Sequence, residues 1–209
     1  FSYTAKYKKT VLMPVGVDES SLNMDIPIER KPRSVLFLAR LTESKNPEVI
    51  LEALSLLAKK GVAFSASFVG GPTDPESEYP SKLKEYAKTL AIEECVTFLG
   101  SVPTAETFRF YRSHEIYVNA AKSGMLDKTL FKAAGAGCLT LASSDDFAEL
   151  AGAEYFFKYK DATALAERIL YMLSLSDDEK SKHTQHLSRV AHEHSLPKLV
   201  LALKKEMTS

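Results

Sequence analysis

Apolar residues fall along this chain in short continuous runs, separated by stretches of helical periodicity. Residues 34–39 (SVLFLA) form a strand-length run without polar alternation, as in a strand covered on both faces. A polar loop, 40–46, follows, and Asn46-Pro47 predicts an N-cap and a first helical residue. Val49, Ile50, Ala53, Leu54 and Leu57 then recur at helical spacing up to Gly61. Residues 63–69 predict a second strand closed by Gly70-Gly71. After a Pro- and acid-rich mobile loop, 72–80, the spacing of Leu83, Tyr86, Ala87 and Leu90 predicts a helix over 81–90. Residues 95–99 (CVTFL) predict a third strand. Pro103-Thr104 opens a helix through Arg112, and 115–119 (EIYVN) predict a fourth strand.

The rest of the chain is organised around residues 123–145. Gly124 ends the preceding segment, and Asp127 predicts the cap of a helix that starts at Lys128. Leu130, Phe131, Ala133 and Ala134 give that helix an apolar side, and Gly135 and Gly137 end it. Residues 138–142 (CLTLA) predict a fifth strand, with Ser143-Ser144-Asp145 as a turn. Residues 154–157 (EYFF) predict a sixth. Helices follow from Asp161 to Leu173, from the Ser176 cap with its acidic first turn, and through Leu196, Leu199, Val200 and Leu203.

Alternating strands and helices of this kind predict an α/β fold, a doubly wound parallel Rossmann-like sheet of about six strands with helices on both faces. Such sheets bind ligands at the carboxyl ends of their strands. That rule puts the loops after Ala39, Val69, Leu99, Asn119 and Ala142 on one rim. Backbone N–H groups from Gly124 to Lys128, at a helix start, suit an anion such as a phosphate.

Residues 1–33 read as an arm or interdomain linker, with the run VLMPVGV broken by Pro14 and Gly16; residues 34–209 read as the domain proper. Because the chain begins with Phe1, a longer protein is expected. Its 209 residues carry 27 Lys+Arg and 27 Asp+Glu, so the net charge is zero and a protein-wide attraction to nucleic acid is not expected. No apolar run has the length of a membrane span and no signal-peptide pattern opens the chain. Cys95 and Cys138 lie in strand-like runs and are expected as buried free thiols, which fits a reducing, cytoplasmic setting.

The order of these features resembles the C-terminal, donor-binding half of retaining GT-B glycosyltransferases, glycosyltransferase family four. The resemblance is carried by Met13-Pro14-Val15-Gly16-Val17-Asp18, by Ala39-Arg40 with Lys45, and by Val69-Gly70-Gly71. It continues through Val96 to Gly100, the stretch from Ser123 to Thr140 (similar to TGSLDK…LEAMACGxPV), Glu149 and the Asp161-capped helix. It implies that Arg40 and Lys45 contact the diphosphate of a nucleotide-sugar. Gly124, Met125 and Leu126 would add amide donors, Gly70, Gly71 and Lys128 would line the site, and Val102 would lie near the base. No cofactor or metal is implied. The acceptor, a glycan or lipid-linked glycoconjugate of polysaccharide biosynthesis, would be held by a missing N-terminal domain, with the full protein cytoplasmic or peripheral to a membrane.

The chain departs from the family after Gly137, where Cys138 and Leu139 stand and Pro is absent, and at two further positions. Glutamates separated by seven residues are replaced here by Gly124 and Lys132. The second glutamate accepts from ribose hydroxyls in the family, and an ammonium has no acceptor to offer. A non-catalytic scaffold domain that has lost the donor site is therefore the alternative reading, and a sugar-nucleotide epimerase of the same architecture is a third. His183, His186, His192 and His194 read as surface histidines rather than metal ligands, and His114 as a local hydrogen-bonder.

Overall fold

A computed structural model describes residues 11, 13–18, 28–124 and 126–208. Five strands form one parallel sheet: β1 (Lys31–Leu38), β2 (Ser65–Val69), β3 (Val96–Gly100), β4 (His114–Asn119) and β5 (Leu139–Ala142). Their order is β3-β2-β1-β4-β5. The chain winds outward from β1 in one direction, then crosses to β4 and winds in the other, so the switch point lies between β1 and β4. Central strands are buried because helices cover both faces. In β4 every residue is buried, and Val35 and Leu36 of β1 lie opposite Ile116 and Tyr117.

Among the described residues eight helices surround the sheet: α1 (Pro47–Lys59), α2 (Tyr79–Thr89), α3 (Thr107–Ser113), α4 (Lys128–Gly135), α5 (Asp145–Ala151), α6 (Ala162–Ser174), α7 (Asp177–Glu193) and α8 (Leu196–Met207). α1 packs against α2 and α6, whereas α4 packs against α3 and α7. The caps expected at Asp127, Asp161 and Ser176 are present. Their side chains accept from the amides of Thr129, Ala164 and Glu179, and Glu179 returns the bond to complete a capping box.

The expected sixth strand is not a strand. Residues Ala153–Tyr155 wind into a 3-10 turn after Gly152, and Phe156 makes a single bridge to Ala142. Arg168 Nε donates to the Phe156 carbonyl at 3.0 Å, taking an acceptor that a longer ladder would use. The expected turn at residues 143–145 instead starts a helix, because Ser144 accepts from the Phe147 amide and caps α5. Cys95 lies in a 3-10 turn, Glu93–Cys95, and is only half-buried; Cys138 is buried as expected.

Of the arm, Val15 to Val17 dock where α7 passes into α8. Gly16 and Val17 donate to the His194 carbonyl at 3.0 and 2.9 Å, Leu196 donates to Val17 O at 2.7 Å, and Val15 N–H donates to His194 Nδ1 at 3.2 Å. The His194 ring also stacks on Phe131 of α4 at 4.3 Å. The surface reading of His194 is thus corrected: a ring between an arm and a helix is buried, here to 8% exposure. His183 and His186, half-buried, bind Tyr155 Oη and Ala151 O, so they fasten α7 to the domain. α8 buries no residue, and its Leu196, Val200, Leu203 and Met207 are exposed.

Candidate functional site

At the carboxyl ends of β1, β2 and β3 the chain closes a cavity of about 240 Å³. Arg40, Gly70, Gly71 and Val102 line it, together with Ala39, Pro72 and Ser101. The glycines are there for a steric reason. Gly70 has φ +140°, and a Cβ on it would stand 1.8 Å from the Ala39 carbonyl oxygen. A Cβ on Gly71 would stand 2.2 Å from Ser101 Oγ. This close approach lets Gly70 N–H donate to Gly100 O and Leu41 N–H donate to Gly71 O, both at 2.8 Å. The three loops therefore present one backbone wall, with exposed Arg40 at its edge.

Lys45 belongs to the same loop as Arg40, in the turn Glu43–Lys45, but points to the α4 start. Its Nζ donates to Asp127 Oδ2 at 2.7 Å, with side chains only 15% and 22% exposed. Asn46 does not cap α1 with its side chain. Its backbone is left-handed, and its Nδ2 donates to Ala120 O at 3.0 Å, stapling the β1–α1 loop to the β4–α4 loop across the switch point. Burial opposes ionisation of Asp127, but the bonds from Lys45 and the Thr129 amide outweigh it and hold the carboxyl below its usual range. Beneath them, Tyr117 Oη donates to Thr129 Oγ1 at 2.7 Å and fixes the first turn of α4 to the sheet.

The other expected residues divide. Gly124 has φ +104°, and its N–H donates to Asp146 Oδ2 at 2.8 Å. Met125 lies outside the described residues. Leu126 is half-buried against the core. Lys128 donates to Gly16 O at 3.1 Å, joining α4 to the arm. Lys132, half-buried on α4, has no ion-pair or hydrogen-bond partner for its ammonium among the described residues. Arg40, Gly70, Gly71 and Val102 are thus brought together, and Lys45 and Gly124 flank the α4 start.

Sequence reasoning missed Asp146 and its neighbour Asp145. The adjacent acids after a Ser-Ser cap were the available signal, hidden by reading them as a turn. It also missed a larger cavity, about 650 Å³, between α1 and α2, lined by Glu43, Glu48, Glu52, Glu78, Tyr79 and Tyr86. Its carboxylates repel phosphates, so size does not make it the nucleotide site. Among the described residues no group of three or more His, Cys, Asp or Glu is placed to hold a metal ion. His114 behaves as expected, with Nδ1 bound to Phe110 O and Nε2 to Ser67 Oγ, both at 2.8 Å. Burial pushes the Cys138 thiol up to about 12, far from a nucleophile's range.

The sequence pattern of the family described as "Glycosyl transferases group 1" matches residues 32–175. The chain belongs to the group 1 glycosyl transferases. Alpha-monoglucosyldiacylglycerol synthase of Streptococcus pneumoniae is 21% identical over 190 residues, covering 88% of this chain and 42% of that protein. Among solved structures, Anabaena HepE in complex with UDP superposes with a TM-score of 0.74 at 16% identity, over 85% of this chain and 49% of that one. The C-terminal domain of the group 1 glycosyl transferase LpcC of Francisella tularensis gives 0.68 at 19% identity, over 79% and 86%. The fold is that of a GT-B Rossmann-like C-terminal domain. The chain spans about half the length of HepE and less than half of the pneumococcal relative.

Proposed function

We propose that residues 34–209 are the nucleotide-sugar donor-binding domain of a retaining glycosyltransferase, joined by 1–33 to an N-terminal half that holds the acceptor. The observation that carries this reading is the gathering of Arg40, Gly70, Gly71 and Val102 around one rim cavity, in a chain of this family. A nucleoside diphosphate would lay its base along Val102 and its phosphates toward Arg40 and Lys45. When the bond from the anomeric carbon to the diphosphate oxygen breaks, the electron pair leaves with the diphosphate. Arg40, and Lys45 beside its Asp127 partner, would stabilise the charge that develops there. HepE, about half of which shares this fold, is solved in complex with UDP, which supports a nucleotide ligand for the longer protein. The reading calls for no metal.

The exposed stripe Leu196, Val200, Leu203 and Met207 supports a second half packed along α8, since contiguous apolar patches mark interfaces. The acceptor in this reading is a glycan or a lipid-linked glycoconjugate, and the working compartment is the cytoplasm or the membrane surface facing it. Among the described residues no helix is long and apolar enough to cross a membrane. Incubating the chain with nucleotide-sugars and acceptors tests the division of labour. The isolated chain binds donor but transfers no sugar; sustained transfer by it contradicts the reading.

A scaffold that has lost donor binding is the second reading. A lysine, Lys132, where the resemblance implies a ribose-binding glutamate, and the internal pairing of Lys45 and Gly124 with carboxylates favour it. Failure of UDP, GDP and ADP to bind both this chain and its longer parent would select it.

A further inference from the structure

The helix start expected to receive a phosphate already holds carboxylates of the chain itself. Gly124 N–H donates to Asp146 Oδ2 at 2.8 Å. Beside it, Ser123 Oγ donates to Asp145 Oδ2 at 2.9 Å and accepts from the Asp145 amide at 2.8 Å. On the same loop, Ala121 O accepts from Ser143 Oγ at 2.8 Å. These bonds strap the loop before α4 to the first turn of α5. α5 does not need the Asp146 carboxylate as a cap, because Ser144 fills that role. The side of Gly124 where a Cβ would stand meets nothing within 4 Å, so an incoming group has room beside the bond.

We propose that Asp146 is an internal competitor for the donor diphosphate, which engages the Gly124 amide only by displacing the Asp146 carboxylate. The inference rests on the donor-site reading above. Carboxylate and phosphate oxygens are both anionic acceptors and seek the same N–H. The displaced carboxylate also stays close and repels the newcomer. A ligand with further contacts, such as a base along Val102, overcomes this competition; a bare phosphate does not. Asp146 thereby discriminates in favour of whole nucleotides over inorganic anions.

The test is calorimetry on the full chain with inorganic pyrophosphate and with UDP, GDP and ADP. It uses Asp146→Asn, Asp146→Ala and, as a control for net charge, the distant Asp178→Asn. Asn keeps an acceptor for the Gly124 amide but removes the charge; Ala removes both. Circular dichroism checks that each variant is folded, and the amide resonance of Gly124 reports the site directly. Pyrophosphate is expected to bind about tenfold tighter to Asp146→Ala and less enhanced to Asp146→Asn, the order set by losing acceptor and charge together. Asp178→Asn leaves it within about twofold, since exposed distant charges are screened. The Gly124 resonance moves on pyrophosphate addition to Asp146→Ala. Pyrophosphate affinity of both Asp146 variants equal to that of Asp178→Asn overturns the proposal. If nucleotides bind with Arg40 dependence while Asp146 variants change nothing, this inference fails and the donor-site reading stands. If pyrophosphate tightens while no nucleotide binds, Asp146 competes with anions for the Gly124 amide, but the donor-site reading fails and the discrimination in favour of whole nucleotides fails with it.

Discussion

Lys45 and Asp127 form an ion pair of 2.7 Å at the start of α4, and Asp127 is at once that helix's cap and the counter-charge of a lysine expected to meet phosphate. The two roles can be separated. Asp127→Asn keeps a capping oxygen but leaves the half-buried Lys45 without its counter-charge; Asp127→Ala removes both. Asp127→Ala is expected to lose about 1–2 kcal/mol from the cap alone, with Asp127→Asn less affected. The folded carboxyl titrates below its ordinary 3.8. Its stabilisation is therefore complete above that value and lost as pH falls through the lower, folded one. Denaturant titrations between pH 7 and pH 2 check both points: Asp127→Asn should show a shallower acid loss than the native chain. An identical acid profile would mean that the pair does not stabilise the fold.

Gly70 and Gly71 separate steric need from ligand contact. Gly70→Ala drives a methyl into the Ala39 carbonyl at a positive φ, and nothing on the backbone can yield. A loss of about 3 kcal/mol or more is expected, or roughly 6–12 °C in Tm. Gly71→Ala meets only the Ser101 hydroxyl, which can rotate or be removed. Ser101→Ala should therefore recover most of the Gly71→Ala loss and none of the Gly70→Ala loss. Thermal melts of the two singles and two doubles decide it.

His194 holds the arm as a neutral ring. Burial lowers its pKa, and Nδ1 accepts from Val15 N–H, so the proton sits on Nε2. Glu193 pulls the other way; Phe131 of α4 offers a ring and no charge, and the Lys128 ammonium is engaged at Gly16 O. A base with a depressed folded pKa gives stability that is complete above about 6.5 and is lost as pH falls through the folded value. Protonation also turns the Val15 acceptor into a donor. Amide exchange at Val15, Gly16 and Val17 should accelerate between pH 7 and pH 5, ahead of the sheet amides. His194→Gln should weaken that pH dependence; if the arm amides exchange at the same relative rate across the range, the ring is not the pin.

Lys132→Glu tests the alignment of the ribose. If the position matches the family's second glutamate, a carboxylate there accepts from the ribose hydroxyls, each bond adding on the order of 1.5–3 kcal/mol. Nucleoside diphosphates should then bind tighter, with pyrophosphate unchanged or weaker. Equal nucleotide affinity with unaffected pyrophosphate would show that Lys132 is not near the ribose.

Much of this was legible because buried parallel strands leave continuous apolar runs, and because caps write themselves as Asp127, Asp161 and Ser176 ahead of periodic segments. Residues 154–157 misled because an apolar quartet looks alike whether it pairs fully or touches the sheet once, at Phe156. α5 was hidden because Ser-Ser-Asp-Asp serves turns and helix starts equally. At the site, Arg40, Gly70, Gly71 and Val102 could be placed on one rim from strand ends alone. The pairings Lys45–Asp127, Lys128–Gly16 and Gly124–Asp146 could not, since each joins segments far apart in sequence.

The most direct measurement is a calorimetric titration of UDP, GDP and ADP into the chain and into Arg40→Ala. One of the three nucleotides is predicted to bind at millimolar or tighter affinity, about 4 kcal/mol or more, and Arg40→Ala to weaken it about tenfold, as loss of a charge-assisted phosphate contact requires. Binding of none, or binding indifferent to Arg40, would contradict the account.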